Sequence, residues 1–145
     1  MGASTLANRI RVLNAASPRP SGGYVLYWAQ MNRRVTSNHA LAHAGEIANA
    51  NNLPLLVYEG LTYNYKAAND RHHTFVLEGV PETGDELALI GAGYFFYLRA
   101  NASGPNDVLY RLAARAHLVS FPSRRLQFPQ DSGLFWVPFL PASLP

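Results

Sequence analysis

Three short runs of apolar and aromatic residues constrain the fold of this chain more than any other feature. The first, Tyr24–Trp28, is apolar on both of the faces that alternate along a strand, which is typical of a strand buried on two sides. Leu53–Tyr58 and Gly93–Leu98 repeat this character. The runs therefore predict strands of a parallel sheet covered by helices, with the first strand in a central position.

Helical patterns separate the three strands. The first helix can be capped by Ser37 or Asn38, and its apolar stripe is made of Leu41, Ala44, Ile47 and Ala48. Asn69 opens a second helical segment. Pro81 and Gly84 are expected to interrupt that segment, because proline and glycine both weaken a helix interior.

The rest of the pattern continues this alternation. Ser103-Gly104-Pro105 is a helix start signal, and the stripe that follows it is Leu109, Leu112, Ala113 and Ala116. His117–Val119 can begin a further strand. Alternating strand and helix units of this length predict an α/β fold: a doubly wound, Rossmann-like parallel sheet whose strands are joined by right-handed crossovers.

The chain divides into three parts in this interpretation. Residues 1–22 are expected to form a disordered leader that ends in a Pro-, Ser- and Gly-rich stretch. Residues 23–119 form the α/β domain, and a length of 145 residues suits one hydrophobic core. In residues 120–145, prolines are scattered among phenylalanines with no helical or strand period, so an irregular C-terminal tail is predicted there.

Composition excludes several classes of protein. With 48% hydrophobic and 14% charged residues the chain is globular, and no stretch reaches the roughly 18 apolar residues of a membrane helix, so no membrane partner is expected. The net charge of +3 permits a polyanionic partner without arguing for one. The absence of cysteine excludes disulfides, thiol nucleophiles and thiolate metal sites.

Polar residues cluster where the predicted strands end. An open parallel sheet binds ligands in the crevice beyond the carboxyl ends of its strands. The candidate contacts there are Gln30, Arg33, Arg34, Glu59 and Asn69, whose donors and acceptors suit a planar, partly anionic ligand. The alternative is that these side chains are only the solvated ends of strands, and the sequence leaves both open.

Other signals of chemistry are weak or absent. Gly91-Ala92-Gly93 precedes a strand and not a helix, so it lacks the geometry of a phosphate-binding loop. His39, His43 and Glu46 have a spacing that can hold zinc, but adjacent surface histidines are far commoner than metal sites, and no metal is predicted. No nucleophile elbow or paired-carboxylate pattern occurs, so no catalytic residue is assigned.

Six stretches together resemble the N-terminal domain of class II DNA photolyases, within the photolyase and cryptochrome superfamily. Their order and spacing match that domain from about Arg11 to Val119. They are Tyr24–Gln30 (YVLYWAQ), Arg33–Val35 (RRV), Asn38–Leu41 (NHAL), Pro54–Leu61 (PLLVYEGL), Ala68–Gly79 (ANDRHHTFVLEG) and Leu89–Tyr94 (LIGAGY).

The resemblance implies a light-driven, flavin-dependent enzyme that repairs cyclobutane pyrimidine dimers in damaged DNA. In that family a larger helical domain holds FAD and the flipped-out lesion, and excited reduced flavin donates an electron to the dimer. The α/β domain can hold an antenna pigment, a deazaflavin or a folate. The five candidate contacts named above would then be antenna contacts.

The chain departs from the family pattern after Val119, where a further strand and an acidic loop are expected. The 145 residues contain no counterpart of the helical domain, so the resemblance gives no FAD or lesion site here, and direct DNA binding is not expected. One interpretation is a truncated photolyase domain that is inactive alone. A second is a small-ligand or pigment-binding module without catalysis, and a third is a poorly folding remnant.

Overall fold

The structure, a computed structural model, describes residues 10–30, 32–64 and 69–122. These ranges contain four strands, namely β1 (Val25–Trp28), β2 (Leu55–Thr62), β3 (Gly93–Arg99) and β4 (Leu118–Ser120). They also contain four helices, namely α1 (His39–Ala50), α2 (Asp70–Glu78), α3 (Val80–Leu89) and α4 (Val108–Arg115). No helix in these ranges has the length and apolar character needed to cross a bilayer.

The four strands form one parallel sheet in the order β3-β2-β1-β4. Val25 in β1 pairs with Leu55 on one side and Leu118 on the other, so β1 is central as predicted. Because β1 is the first strand along the chain and later strands are added on both sides of it, the connecting helices cover both faces of the sheet. The prediction of a doubly wound α/β sheet is thus confirmed.

Two hydrophobic clusters, one on each face of the sheet, form the core. The first joins inward residues of β1 and β2, such as Val25, Tyr27 and Val57, to buried residues of α1 and α3. The second joins Leu26 and Tyr58 to the apolar stripe of α4. Val25, Leu26 and Tyr27 are at most 1% exposed, which explains why this strand is apolar on both faces.

The start of α1 is fixed by a buried side chain. Asn38 is the N-cap: its Oδ1 accepts from the backbone N–H of Leu41 at 3.1 Å. Its Nδ2 donates to the Tyr27 hydroxyl and to the Arg34 carbonyl, both at 3.0 Å. One amide therefore caps the helix, anchors it to the central strand and shapes the preceding loop.

The second helical segment divides at a different place from the one predicted. The break lies at Gly79, between α2 and α3, and Pro81 lies in the first turn of α3, where a missing N–H costs little. Gly84 lies inside α3, so the prediction of an interruption there is wrong. A Cβ at Gly84 would lie 3.4 Å from Cδ1 of Tyr94, an ordinary contact distance, so this part of the helix packs against the ring on β3.

The helix α4 begins later than predicted, at Val108 and not at Pro105. The preceding loop is held by side chains of β3: Arg99 donates to the Gly104 and Ala102 carbonyls, and the Tyr97 hydroxyl donates to the Pro105 carbonyl. These bonds satisfy carbonyl groups of residues that are not helical. Ser103-Gly104-Pro105 therefore lies in a loop that precedes the helix.

The chain separates into two compact units. One is Pro18–Pro122, in which the Arg19 backbone exchanges hydrogen bonds with His117. A Cβ at Gly22 would lie 2.2 Å from the His117 nitrogen, so only glycine fits there. Of the other unit the structure describes residues 10–17, which are exposed and without helix or strand. The predicted leader lies partly, and the predicted tail mostly, outside the described residues.

Candidate functional site

Polar side chains gather in a cleft at the carboxyl edge of β1. The strand β2 continues to Thr62 along β3, beyond the point where β1 ends. Glu59 therefore lies inside a strand, and the expectation that it belongs to the following loop is wrong. The Ala29 N–H donates to the Tyr58 carbonyl at 2.8 Å, which brings the loop after β1 directly alongside Glu59.

Glu59 is a buried carboxylate with two partners. Glu59 is 5% exposed to solvent. Its Oε1 accepts from Nε of Arg33 in an ion pair, and its Oε2 accepts from the Tyr94 hydroxyl at 2.7 Å. Burying an unpaired carboxylate is costly, whereas a paired and hydrogen-bonded one is tolerated. We call these three residues the Glu59 cluster; it joins the loop after β1 to β2 and β3.

The Arg33 guanidinium keeps one nitrogen unused. Its Nη2 is buried and has no hydrogen-bond partner within the described part of the chain. Its Nη1 lies against the helix junction, 3.0 Å from where a Cβ of Gly79 would be. A buried donor without a partner is costly to maintain, so Nη2 is the group of the cleft best placed to meet an acceptor on a ligand.

The cleft is small. Its cavity volume is about 10 Å³, room for about one water molecule, and its polar lining includes Asn32, Arg33, Arg34, Glu59 and Thr83. Ligand pockets that enclose a drug-sized molecule are far larger than this. The donor set therefore suits the polar edge of a planar ligand, but the volume does not fit an enclosed deazaflavin, folate or FAD.

Two tyrosines on the cleft wall are held in the protonated form. Burial, followed by the hydrogen bond to Glu59 and the charge of that carboxylate, raises the pKa of Tyr94 well above its ordinary value of 10.0. Burial also raises the pKa of Tyr27, although the hydrogen bond with Asn38 acts in the opposite direction. Both hydroxyls therefore keep their protons at neutral pH and are not bases.

The five sequence candidates do not all meet at this cleft. Arg33, Arg34 and Glu59 line it. Gln30 is exposed and does not line it. Asn69 is the N-cap of α2, where its Oδ1 accepts from the His72 N–H at 2.8 Å, which gives it a structural role away from the cleft.

Two residues of the cleft escaped the sequence analysis. Tyr94 and Thr83 line it, whereas the sequence pattern places Tyr94 in an apolar strand and gives Thr83 no role. One signal was available: Leu55, Val57 and Glu59 alternate on one face of β2, so a carboxylate occupies a core position and needs a partner from a neighbouring strand. The identity of that partner depends on strand register, which the sequence does not specify.

The histidines lie elsewhere. Nδ1 of His43 is 3.6 Å from Oε2 of Glu46 on α1, and the glutamate side chain is 62% exposed. Nε2 of His73 is 3.1 Å from the Thr62 carbonyl. In the ranges the structure covers, His, Asp and Glu form no group of three that could hold a metal ion.

The fold and the cleft define an α/β protein with a doubly wound parallel sheet and a polar recess at its carboxyl edge. Over 107 residues it is 44% identical to the deoxyribodipyrimidine photo-lyase of Methanothermobacter thermautotrophicus, covering 74% of this chain and 23% of that protein. The enzymes of the same name from Arabidopsis thaliana and Oryza sativa subsp. japonica are 30% and 29% identical over 120 residues, which is 81% of this chain and 24% and 23% of theirs.

The chain is thus a relative of the deoxyribodipyrimidine photo-lyases, and the resemblance noted in the sequence is confirmed. It spans about a quarter of the length of these curated relatives. No protein-family model matches it.

Solved structures with a similar chain trace include two universal stress proteins. One, determined in complex with cAMP, has a TM-score of 0.38 and 21% identity, over 68% of this chain and 72% of that one. The other, from Burkholderia pseudomallei, has a TM-score of 0.43 and 18% identity, over 72% and 85%.

We predict that the Glu59 cluster makes stability depend on alkaline pH through Tyr94. The hydroxyl loses its proton at a higher pH in the folded than in the unfolded chain. The stabilisation is therefore complete below about pH 10 and is lost as pH rises above it. The Tyr94→Phe variant should show a shallower fall in the free energy of unfolding above pH 10, measured by urea titration at several pH values.

Thr83→Ala is the matched control, because Thr83 lines the same cleft but does not titrate. Its free energy of unfolding should be lower at every pH, with the alkaline fall unchanged. An alkaline fall as steep in Tyr94→Phe as in the natural chain would contradict the assignment.

Proposed function

We propose that this chain is the N-terminal α/β part of a light-driven, flavin-dependent photolyase that repairs cyclobutane pyrimidine dimers. We further propose that the 145 residues carry out no repair by themselves. The observation that carries the proposal is the 44% identity over 107 residues to a deoxyribodipyrimidine photo-lyase. The match covers 74% of this chain, and so is not confined to one motif.

The geometry of the cleft favours a structural or binding role for its residues and not a catalytic one. The functional groups that line the cleft are guanidinium, carboxylate, amide and hydroxyl groups, and the carboxylate is already used by Arg33 and Tyr94. A cavity with room for about one water molecule does not hold a flavin together with an extruded base. We therefore assign no step of electron transfer to residues of this chain, and place repair in the longer protein.

We predict that the purified 145-residue chain, mixed with reduced FAD and an oligothymidylate that carries cyclobutane dimers, does not lower the dimer content under blue light. The reason is that the described residues offer no seat that would bring flavin and lesion together. Dimers are counted by chromatography after illumination.

The full-length enzyme of Methanothermobacter thermautotrophicus is the positive control, and a dark sample of each protein corrects for losses without light. Light-dependent removal of dimers in proportion to the amount of the 145-residue chain would overturn this proposal.

A second candidate function is a module that binds a small ligand or an antenna pigment without reacting it. One observation favours it, namely the buried and unpartnered Nη2 of Arg33. An acceptor on the edge of a planar ligand, such as a ring carbonyl of a deazaflavin or a carboxylate of a folate, would satisfy this nitrogen. Arg34, which is exposed on the same wall, adds positive charge, and the remainder of the ligand would lie outside the recess.

We predict that Arg33→Lys lowers the affinity for a deazaflavin by about tenfold, since lysine keeps a cation beside Glu59 but lacks the second nitrogen of the planar fork. Affinity is measured by fluorescence titration. Arg111→Lys is the matched control, because Arg111 on α4 pairs with Asp107, the N-cap residue of that helix, and does not line the cleft. Equal affinity in both variants, or no binding by the natural chain, would refute this second function.

A further inference from the structure

The strand β3 is an edge without the usual protection. It forms one end of the sheet order β3-β2-β1-β4, and no other strand of the described residues pairs with its outer side. Natural edge strands are kept from pairing by charges, prolines, bulges or short length. Residues 93–98 are uncharged and free of proline, and β3 pairs with β2 in an unbroken register over seven residues.

The backbone direction of β3 can be read from its pairing with β2. The Arg99 carbonyl accepts from the Tyr63 N–H at 3.0 Å, so Arg99 points its backbone groups toward β2. Because these directions alternate along a strand, residues 93, 95 and 97 also point toward β2. The N–H and C=O groups of Tyr94, Phe96 and Leu98 therefore point outward from the sheet.

An antiparallel second copy of β3 fits this edge with a self-complementary register. A twofold axis at Phe96 sets Phe96 opposite itself and Tyr94 opposite Leu98, so all outward groups meet in about six hydrogen bonds. Phe95 and Tyr97 then lie opposite each other as aromatic cross-strand pairs. Side chains on one face of the sheet pair with side chains on the same face of the second copy. A shift of the register by one residue would not allow this.

Charge and exposure agree with that register. The single charged residue of β3 is Arg99, whose guanidinium is turned into its own loop by bonds of 2.9 and 3.1 Å to the Gly104 and Ala102 carbonyls. In the twofold register it lies opposite Gly93, so no cation meets a cation. Phe95 and Leu98 are each 41% exposed and would lose solvent contact on pairing, which favours association.

We propose that two copies of this chain associate through β3 and form one continuous eight-stranded sheet around a twofold axis. This is an isologous contact, in which each copy offers the same strand. Of the residues that line the cleft, only Tyr94 belongs to β3; it meets the second copy through its backbone groups, whereas its hydroxyl stays bonded to Glu59. The association is therefore independent of the function proposed above.

The test is sedimentation of the 145-residue chain from micromolar to submillimolar concentration. The natural chain is expected to sediment as a dimer that dissociates on dilution. Phe96→Pro removes a backbone N–H that points outward and none that bonds β2. Phe96→Ala is its control, because it loses the same ring but keeps the N–H. The dimer dissociation constant of Phe96→Pro should be about tenfold or more above that of Phe96→Ala.

A second pair of variants keeps the test decisive should Phe96→Pro fail to fold by circular dichroism. Leu98→Lys places an ammonium group in the contact and should dissociate the dimer, as charged edges do. Leu89→Lys changes a residue of α3 that is 88% exposed and is not part of β3, and should leave the dimer intact. A natural chain that is monomeric throughout, that forms aggregates of no fixed size, or that dissociates equally in both lysine variants overturns the proposal.

Discussion

The burial of one carboxylate organises the functional edge of this protein. Glu59 lies at a core position of β2 and is 5% exposed, so its charge requires partners that no neighbour in sequence supplies. Arg33 comes from the loop after β1 and Tyr94 from β3. Because each partner belongs to a different element, the Glu59 cluster fixes the loop after β1 on the sheet and sets the shape of the recess beside it.

The same arrangement links the helices to the site. The Arg33 guanidinium contacts the α2–α3 junction at Gly79, and α3 approaches the Tyr94 ring through Gly84. On the other side of the recess, Asn38 ties α1 to Tyr27 and to the Arg34 carbonyl. A recess built from so many elements is well suited to hold a partner group in one orientation. Its small volume agrees with a contact to the edge of a ligand and not with enclosure of a cofactor.

Much of the fold could be predicted from local sequence, because the responsible forces are local. The apolar character of Val25–Trp28 on both faces follows from burial on two sides, and Asn38 caps α1 through a bond three residues away. The break between α2 and α3 lies at Gly79, because Pro81 fits the first turn of α3 and Gly84 lies inside a helix that packs against Tyr94, which is distant in sequence. The site was predicted in part: Arg33, Arg34 and Glu59 share the cleft, whereas Tyr94 was missed because its role depends on strand register.

A double-mutant cycle between Arg33 and Glu59 tests the central role of this cluster most directly. The free energy of unfolding is measured by urea titration for the natural chain, Arg33→Met, Glu59→Gln and the double variant. Since each single change leaves a buried polar group without its partner, the account predicts a coupling of about 1.5 kcal/mol or more, with the double variant more stable than the sum of the single losses implies. Additive losses, within about 0.3 kcal/mol, would show that the pair does not hold this edge together.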